Sequence, residues 1–300
     1  MKKKTYLFAL MAMALTLGSC SDNENGIGGE TSKYITVSTS IGNMTRVATD
    51  AKGGQTFEEG DEISVYAWTG DATIAPDASE RVVNNAINKL TSSSWVSTPQ
   101  MLWKNNRDKH YFIGVYPTAA ISDLSAGEYT FDANKQTESD LLVAVNPDGL
   151  SYSADAQQTV PLTFTHVMAK LAVNLTYKNQ WGGIPTVEKV VVGNAAKEAT
   201  INYLTKVVTP STTAKEDFSL PEITENTKYV SVIIPQEDVK QLTIVIGGKN
   251  FVYDNGTPFK LESGKITTVN LEVGRDEIKL GDVKITNWED GSTFSGEALN

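Results

Sequence analysis

The stretch of sequence that decides the fold is residues 57–66, FEEGDEISVY. Gly60 and Asp61 predict a turn, because glycine adopts positive φ freely and an aspartate side chain bonds to nearby backbone groups. After the turn, Ile63 and Val65 are separated by one polar residue, which is the period of two expected of a half-buried β-strand. The stretch therefore predicts a tight turn that leads directly into a strand.

The same alternation of apolar and polar residues recurs on both sides of this stretch. It is found at residues 35–41, 171–175, 230–234, 242–246 and 269–273. A shorter apolar run at 141–145 is followed by the turn-forming residues Asn-Pro-Asp-Gly at 146–149. The Asn-Gly pair at 255–256 predicts a hairpin, because both residues tolerate the positive φ of a tight turn.

One segment of the chain predicts a helix. Residues 79–90 carry apolar side chains at helical spacing: Val82, Val83, Ala86, Ile87 and Leu90.

Strands separated by turns at intervals of roughly ten to twenty residues are typical of antiparallel β-sandwiches. The chain is therefore predicted to be all-β. The polar stretch 146–159 separates two series of strands and indicates a domain boundary. We expect an N-terminal β-sandwich at residues 32–155, a C-terminal β-sandwich at 156–275 and a C-terminal tail at 276–300.

The N-terminus has the anatomy of a secretory signal peptide. Lysines occupy positions 2–4, and the run 5–17 is almost wholly apolar. At about 13 residues, this run is too short to cross a hydrocarbon core, which needs roughly 20. Residues 1–19 are therefore expected to be a cleaved signal peptide outside the fold.

Residues 17–20, Leu-Gly-Ser-Cys, resemble the lipobox of bacterial lipoproteins. In that motif the cysteine receives a diacylglyceryl group and becomes the acylated N-terminus after cleavage. Cys20 is the only cysteine in the chain, so no disulfide can form within it. The alternative is an ordinary signal peptide followed by an incidental cysteine. We expect Cys20 to attach lipid and the acidic residues 20–31 to form a tether.

The charge of the chain excludes one class of partner. The net charge is −10, with 26 basic and 36 acidic residues. Removal of residues 1–19 takes away three lysines and no acidic residue, which leaves about −13. A chain this acidic lacks the basic surface that nucleic acids or anionic membranes require. No nucleic-acid partner is expected.

No pattern typical of an enzyme is present in the sequence. The two histidines, His110 and His166, fall in different predicted domains. There is no G-x-S-x-G elbow, H-E-x-x-H motif or phosphate-binding loop. A carboxylate pair could serve glycoside hydrolysis, but nothing marks one out among 36 acidic residues. We therefore expect no enzyme activity, no catalytic residues and no cofactor.

Three features permit a binding interpretation beside a structural one. The acidic residues at 58–62 lack the ligand spacing of an EF-hand, so no metal site is expected. His166 is interpreted as a hydrogen-bonded structural histidine rather than a ligand or base. Trp68, Trp95 and Trp103 are either a carbohydrate platform or, as we favour, buried or inter-domain aromatic residues.

Several motifs taken in order resemble the fimbrillin-like proteins of Bacteroidetes. Residues 57–66 are similar to that family's F-x-x-G-D-x-I-x-V-Y segment. Its other landmarks match residues 112–117, 140–142, 162–171, 233–236 and 261–265. The resemblance implies two transthyretin-like β-sandwich domains in tandem, export as a lipoprotein and assembly into fimbriae by β-strand addition between subunits.

Two functions are consistent with these observations. The first is a structural or accessory subunit of a surface pilus, found on the outer membrane or in the fimbrium, whose partners are other pilus subunits. The second is a lipid-tethered surface protein that binds glycans or host ligands and does not polymerise. Both are cell-surface functions in which the lipid anchor contacts the membrane.

The resemblance also implies a processing site. Shaft and tip subunits of the family are cut by a trypsin-like protease after an arginine that follows the first strand. Arg46 follows the predicted strand 35–41, and the four residues before it suit an exposed loop. The alternative is that Arg46 is an ordinary loop residue of a subunit that stays uncut.

The C-terminal tail is a candidate donor strand. Ile278 and Leu280 alternate with polar residues, Gly281 breaks the phase, and Val283 and Ile285 resume it. This pattern suits two short strands that could replace the strand lost by cleavage. Trp288 could fill a pocket at the end of the groove. The alternative is that the tail folds back as an edge strand of its own second domain.

Overall fold

The computed structural model describes residues 33–42, 56–153, 158–254 and 256–288. Every regular element in these ranges is a β-strand, which confirms the all-β prediction. The described part of the chain accordingly has no helix long and apolar enough to cross a membrane. The strands are β1 Thr36–Ile41, β2 Glu62–Thr69, β3 Val83–Thr91, β4 Ser94–Thr98, β5 His110–Tyr116, β6 Gly127–Thr130, β7 Leu142–Leu150, β8 Thr159–His166, β9 Ala169–Tyr177, β10 Val187–Ala196, β11 Glu198–Asn202, β12 Val207–Pro210, β13 Lys215–Ser219, β14 Glu222–Thr224, β15 Lys228–Ile233, β16 Gln241–Ile246, β17 Lys249–Asp254, β18 Lys265–Val273 and β19 Ile278–Asn287.

The strands form four sheets. The largest has seven strands in the order β1-β8-β7-β5-β2-β3-β4. A five-stranded sheet has the order β14-β15-β9-β18-β19, and a four-stranded sheet has the order β13-β10-β16-β17. The three-stranded sheet β12-β11-β6 joins strands from both halves of the chain. Within the seven-stranded sheet, β1 is parallel to β8, whereas the other pairs are antiparallel.

The seven-stranded sheet separates two hydrophobic clusters, so β2 is buried on both faces rather than one. Ile63 and Val65 face the smaller cluster, while Tyr66 and Trp68 face the larger one, which continues into the C-terminal half. Ser64 is also buried, and its hydroxyl oxygen accepts a hydrogen bond from the Ala119 backbone N–H at 3.0 Å. Because its hydroxyl group is hydrogen-bonded, Ser64 can lie in a buried strand with little loss of stability.

The helix predicted at residues 79–90 is wrong, because this segment contains strand β3. Its register against β2 shifts between Ala86 and Val83. Asn85 lies in this irregularity with a φ of 55°. Such a bulge adds one residue to the strand. Two inward-facing residues are therefore three positions apart, which imitates helical spacing.

Two turn predictions are also wrong. Strand β7 continues to Leu150, through the Asn-Pro-Asp-Gly segment, with Gly149 at a φ of 64°. Asn255 lies outside the described residues, but the strands on either side of the Asn-Gly pair do not form a hairpin, because β17 pairs with β16, while β18 pairs with β9 and β19. The two-residue turn between β16 and β17 is Gly247–Gly248, and both glycines have positive φ.

Strand β8 follows the boundary predicted after residue 155, yet it lies in the seven-stranded sheet beside β1 and β7. The chain enters the five-stranded sheet at β9. The division into two tandem transthyretin-like sandwiches stays a prediction.

Candidate assembly site

The first strand lies between two parts of the N-terminal half. On one side, β1 pairs with β8 over six residues, from Thr36 opposite Thr159 to Ile41 opposite Phe164. On the other side, the residues just before it pair with the segment after β4. The Ile35 N–H donates to the Met101 carbonyl at 2.9 Å. This short segment therefore bridges two edges that are otherwise separate.

The side chains at the start of the first strand cover the smaller hydrophobic cluster. Ile35 is 2% exposed and Val37 is 6% exposed. They pack with Phe112, Leu162 and Phe164, among others. Further along, the indole N–H of Trp95 donates to the Thr39 hydroxyl at 3.0 Å. Burial of each such aliphatic side chain contributes about 1.5–3 kcal/mol, so the strand is a structural part of this core.

Loss of β1 would therefore leave a groove with a defined chemistry. One wall is the freed edge of β8, with the backbone groups that had faced β1 unpaired. The floor is the apolar cluster that contains Val160 and Leu162. A groove of this kind accepts an extended strand through main-chain hydrogen bonds and alternate apolar side chains.

The two sites predicted upstream, Cys20 and Arg46, both lie outside the described residues. The last described residue before Arg46 is Gly42, whose N–H donates to the Phe164 carbonyl at 2.8 Å. The predicted processing arginine is thus four positions beyond this hydrogen bond at the end of β1.

As far as Trp288, where the described residues end, the C-terminal tail is an edge strand, the alternative that the sequence left open. β19 is one strand rather than two, and it pairs antiparallel with β18. Gly281 lies at a bulge, where the register shifts between Leu280 opposite Leu271 and Asp282 opposite Asn270. The bulge explains the break in alternation at Gly281.

The four apolar residues of the tail are unequally buried. Ile278 and Leu280 pack against the larger hydrophobic cluster. Val283 and Ile285 lie beyond the bulge, and each is 39% exposed. The second half of β19 is therefore held mainly by its backbone pairing with β18 and by the residue at its end, Trp288.

Trp288 anchors the end of the tail. It is 6% exposed, and its backbone N–H donates to the Gly264 carbonyl at 3.0 Å. The indole stacks on the His166 imidazole, with ring centroids 4.0 Å apart and planes at 6°. The Lys170 ammonium lies 4.2 Å from the indole centroid, a cation–π distance. Trp288 does fill a pocket, but the pocket is in its own chain.

The polar groups around this anchor affect its strength. Burial lowers the pKa of Lys170, which Asp140 partly opposes. The indole Nε1 of Trp288 has no hydrogen-bond partner among the described residues. A buried unpaired donor costs about 1–3 kcal/mol, so the anchor is weaker than its burial suggests.

His166 lies between Ile41, the last residue of β1, and Trp288 at the end of β19. Its Nδ1 lies 2.8 Å from Asp140 Oδ1. On the side of β1, both residues line a cavity of about 290 Å³ together with Ile41 and Phe57. The sequence predicted His166 as a structural histidine, but it assigned no role to Asp140 or Lys170. No local signal links these residues to Trp288, which lies more than 100 positions further along.

The other candidate binding features have structural partners. Trp68 is buried, and its indole N–H donates to the Asp71 carbonyl at 2.8 Å. Trp103 packs edge-on against His110 at 5.0 Å. Asp61 accepts a hydrogen bond from the Glu58 N–H at 2.7 Å, as part of the predicted turn. No group of three or more possible metal ligands occurs among the residues that the structure describes.

Comparison with known proteins gives the family. The profile of the fimbrillin-like family matches residues 45–288. No curated protein matches the chain. Among solved structures, a candidate cell adhesion protein of Bacteroides uniformis is 18% identical with a TM-score of 0.63 and covers 86% of this chain and 100% of its own. One from Bacteroides ovatus is also 18% identical, with a TM-score of 0.62, covering 85% and 98%.

A fimbrial protein of Bacteroides vulgatus is 13% identical, with a TM-score of 0.52, covering 84% of this chain and 99% of its own. At these identities the likeness concerns the fold. The family match spans most of the chain, from the segment after β1 to Trp288. As a member of a fimbrillin-like family, the protein is structural rather than enzymatic and is associated with surface fimbriae. The chain belongs to the fimbrillin-like family.

Proposed function

We propose that this chain is a subunit of a surface pilus, exported as a lipoprotein through Cys20 and joined to other subunits by strand addition. In this proposal, cleavage after Arg46 removes β1, and the C-terminal strand of another subunit takes its place. The observation that carries the proposal is the position of β1, which is short, terminal in its sheet and seated over an apolar cluster.

The donor strand would come from residues 278–288. The inward positions of β1 are Val37, Thr39 and Ile41, and β19 carries aliphatic pairs on either side of Gly281, so either strand could place aliphatic side chains in the groove. The second half of β19 is half-exposed in its own sheet, and the indole N–H of Trp288 has no hydrogen-bond partner within the part of the chain that the structure describes. These features favour a strand that can be exchanged, because few buried side chains hold it beyond Gly281 and its backbone bonds with β18 can be remade with another strand.

Processing and assembly can be tested together. The mature protein, treated with an arginine-specific protease, should lose its N-terminal segment and form ladders that resist detergent. Arg46→Lys is the matched control, because it keeps the charge while removing the cleavage site. Equal ladder formation by wild-type and Arg46→Lys proteins would contradict the role of Arg46.

Donation by the tail is tested by a deletion. Removal of residues 278–300 should leave the rest of the chain folded and abolish ladders after cleavage. Ladders that persist in the truncated protein would exclude donation by this tail. An unfolded truncated protein would instead favour a tail that belongs permanently to its own domain.

The lipid anchor has its own test. Cys20→Ser should abolish labelling by a fatty-acid probe and move the protein out of the membrane fraction. Continued labelling of this variant would refute lipid attachment at Cys20.

One observation favours the second candidate, a lipid-tethered binding protein that does not polymerise. β19 is paired with β18 along its whole length, and Trp288 is buried. A chain that keeps its tail in this way has no strand to donate. The N-terminal sequence and mass of the protein taken from cells test this difference, because the polymerising subunit proposed here loses the residues up to Arg46 and the binding protein keeps them.

A further inference from the structure

The C-terminal strand offers an edge to which a further strand can bind. β19 is the last strand of the five-stranded sheet, and no strand of the described ranges lies beyond it in that sheet. Edge strands present unpaired backbone groups that can pair with another chain. The backbone orientation and the side chains of β19 decide which strand fits this edge.

The backbone orientation of β19 is set by its anchor. The backbone N–H of Trp288 donates to the Gly264 carbonyl, and the antiparallel pairing with β18 continues from Asn287 opposite Lys265. In an antiparallel pair, alternate residues direct both backbone groups to the same side. The N–H and C=O groups of Val283 and Ile285 therefore point away from β18, toward the open edge.

The side chains beside this edge differ between the two faces of the sheet. Val283 and Ile285 share the face of the fully buried Val269, yet each is 39% exposed. On the opposite face, Asp282 and Lys284 lie two positions apart, with Lys284 Nζ 3.4 Å from Asp282 Oδ2. The edge thus has an apolar face, and a face with one negative and one positive charge.

We propose that a second copy of this chain binds this edge, so that the two β19 strands pair antiparallel about a twofold axis at Val283. In this register each Asp282 lies opposite the other chain's Lys284, so two attractive charge pairs form at once. On the apolar face, the two Val283 side chains meet at the axis. Each Ile285 lies opposite Gly281 of the other chain, where no side chain occupies the space.

The register is specific to antiparallel self-pairing. A shift of the axis by one residue, to Asp282 or Lys284, would place like charges opposite each other, which is unfavourable in a sheet. It would also place residues whose N–H and C=O groups point toward β18 opposite each other, since hydrogen-bonded positions alternate along a strand. The bulge at Gly281 and the end of the strand at Asn287 limit the seam to a few residues on each chain.

This dimer goes beyond the proposed pilus function and does not depend on it. It requires a seated tail and therefore belongs to the chain before any strand is donated. Its failure and the failure of strand donation are separable, because dimerisation is measured without protease and ladder formation requires protease.

The test is a charge exchange in the full mature chain with Cys20→Ser, so that lipid cannot drive association. Sedimentation velocity over a range of concentrations should show a monomer–dimer equilibrium for this protein. Asp282→Lys and Lys284→Asp should each raise the dimer Kd roughly tenfold, because both cross-strand pairs become repulsive. The double variant Asp282→Lys/Lys284→Asp should restore the original Kd.

A mixture of the two single variants is the decisive arm. Asp282→Lys presents two lysines and Lys284→Asp presents two aspartates, so the mixed dimer has attractive pairs at both positions. The mixture should therefore dimerise more strongly than either variant by itself. A wild-type chain that stays monomeric, or a mixture no stronger than its components, would overturn the proposal. Lys284 is 70% exposed, whereas Asp282 is 49% exposed and accepts a hydrogen bond from Asn270 Nδ2 at 2.6 Å. Urea unfolding of each monomer therefore accompanies the measurement, and the recovery of the Kd in the double variant and in the mixture separates pairing from a folding defect.

Discussion

β1 and β19 are both the terminal strands of their sheets, but they are held in opposite ways. The segment of β1 makes backbone bonds on two sides, and the side chains at its start, Ile35 and Val37, are buried. β19 is paired on one side, and beyond Gly281 its apolar residues are half-exposed. The comparison shows that a position at the edge of a sheet does not by itself determine how strongly a strand is held. The core that it covers and the group that anchors its end decide how easily it leaves.

The largest effect should come from removal of the first strand. A chain that begins at residue 43 should lose on the order of 5 kcal/mol of unfolding free energy, from two buried side chains and a ladder of backbone bonds. Its exposed apolar groove should bind a hydrophobic dye, and added peptide 33–42 should reduce that binding. The chain without residues 278–300 is the control, with a smaller loss. A larger loss in the control would reverse the comparison.

Substitutions of single side chains should also lower the unfolding free energy more in the segment of β1 than in β19. Ile35→Ala removes a buried side chain and should cost about 2–5 kcal/mol. Ile285→Ala is the matched substitution at an exposed site of β19, where a change within about 1 kcal/mol is expected. Urea unfolding curves measure both. Equal costs would mean that the two strands contribute equally to their cores.

The anchor of the tail should act locally. Trp288→Ala removes the stack on His166 and the contact with Lys170, so residues 282–287 should exchange amide hydrogens faster, with little change in β1. Trp288→Phe keeps an aromatic ring and lacks the unpaired indole N–H, so it should protect the tail better than Trp288→Ala. Unchanged exchange in Trp288→Ala would show that backbone pairing alone holds β19.

The smallest effect should be a dependence of stability on pH, caused by His110 at the start of β5. His110 Nε2 accepts the Lys104 N–H at 3.0 Å, and burial lowers the pKa of His110. The unfolded chain then binds a proton that the folded chain does not, so stability should fall as the pH drops below about 6.5. The drop in unfolding free energy between pH 7.5 and pH 5 should be smaller in His110→Asn. An identical drop in both proteins would assign it to other groups.

The sequence predicted the strands wherever apolar residues alternate, because that period is a local property of the chain. It failed at Asn85 and at residues 146–149, where local irregularities changed the spacing without ending the strand. It also failed for β2, because burial on both faces depends on the elements that pack there. The family was predictable from the motif at 57–66 and its successors. The contact of Trp288 with His166 was not, since tertiary folding alone brings them together.

The parallel pairing of β1 with β8 has a consequence for the order of events in folding. Thr36 and its partner Thr159 are separated by 123 positions, so the pair closes a very long loop. Such contacts form late, because the loop-closure entropy must be overcome before they contribute. The first strand is made early, yet its partner strand β8, at residues 159–164, is made more than 100 residues later. Each newly made molecule therefore passes through a stage in which the groove is open, before its own first strand closes it.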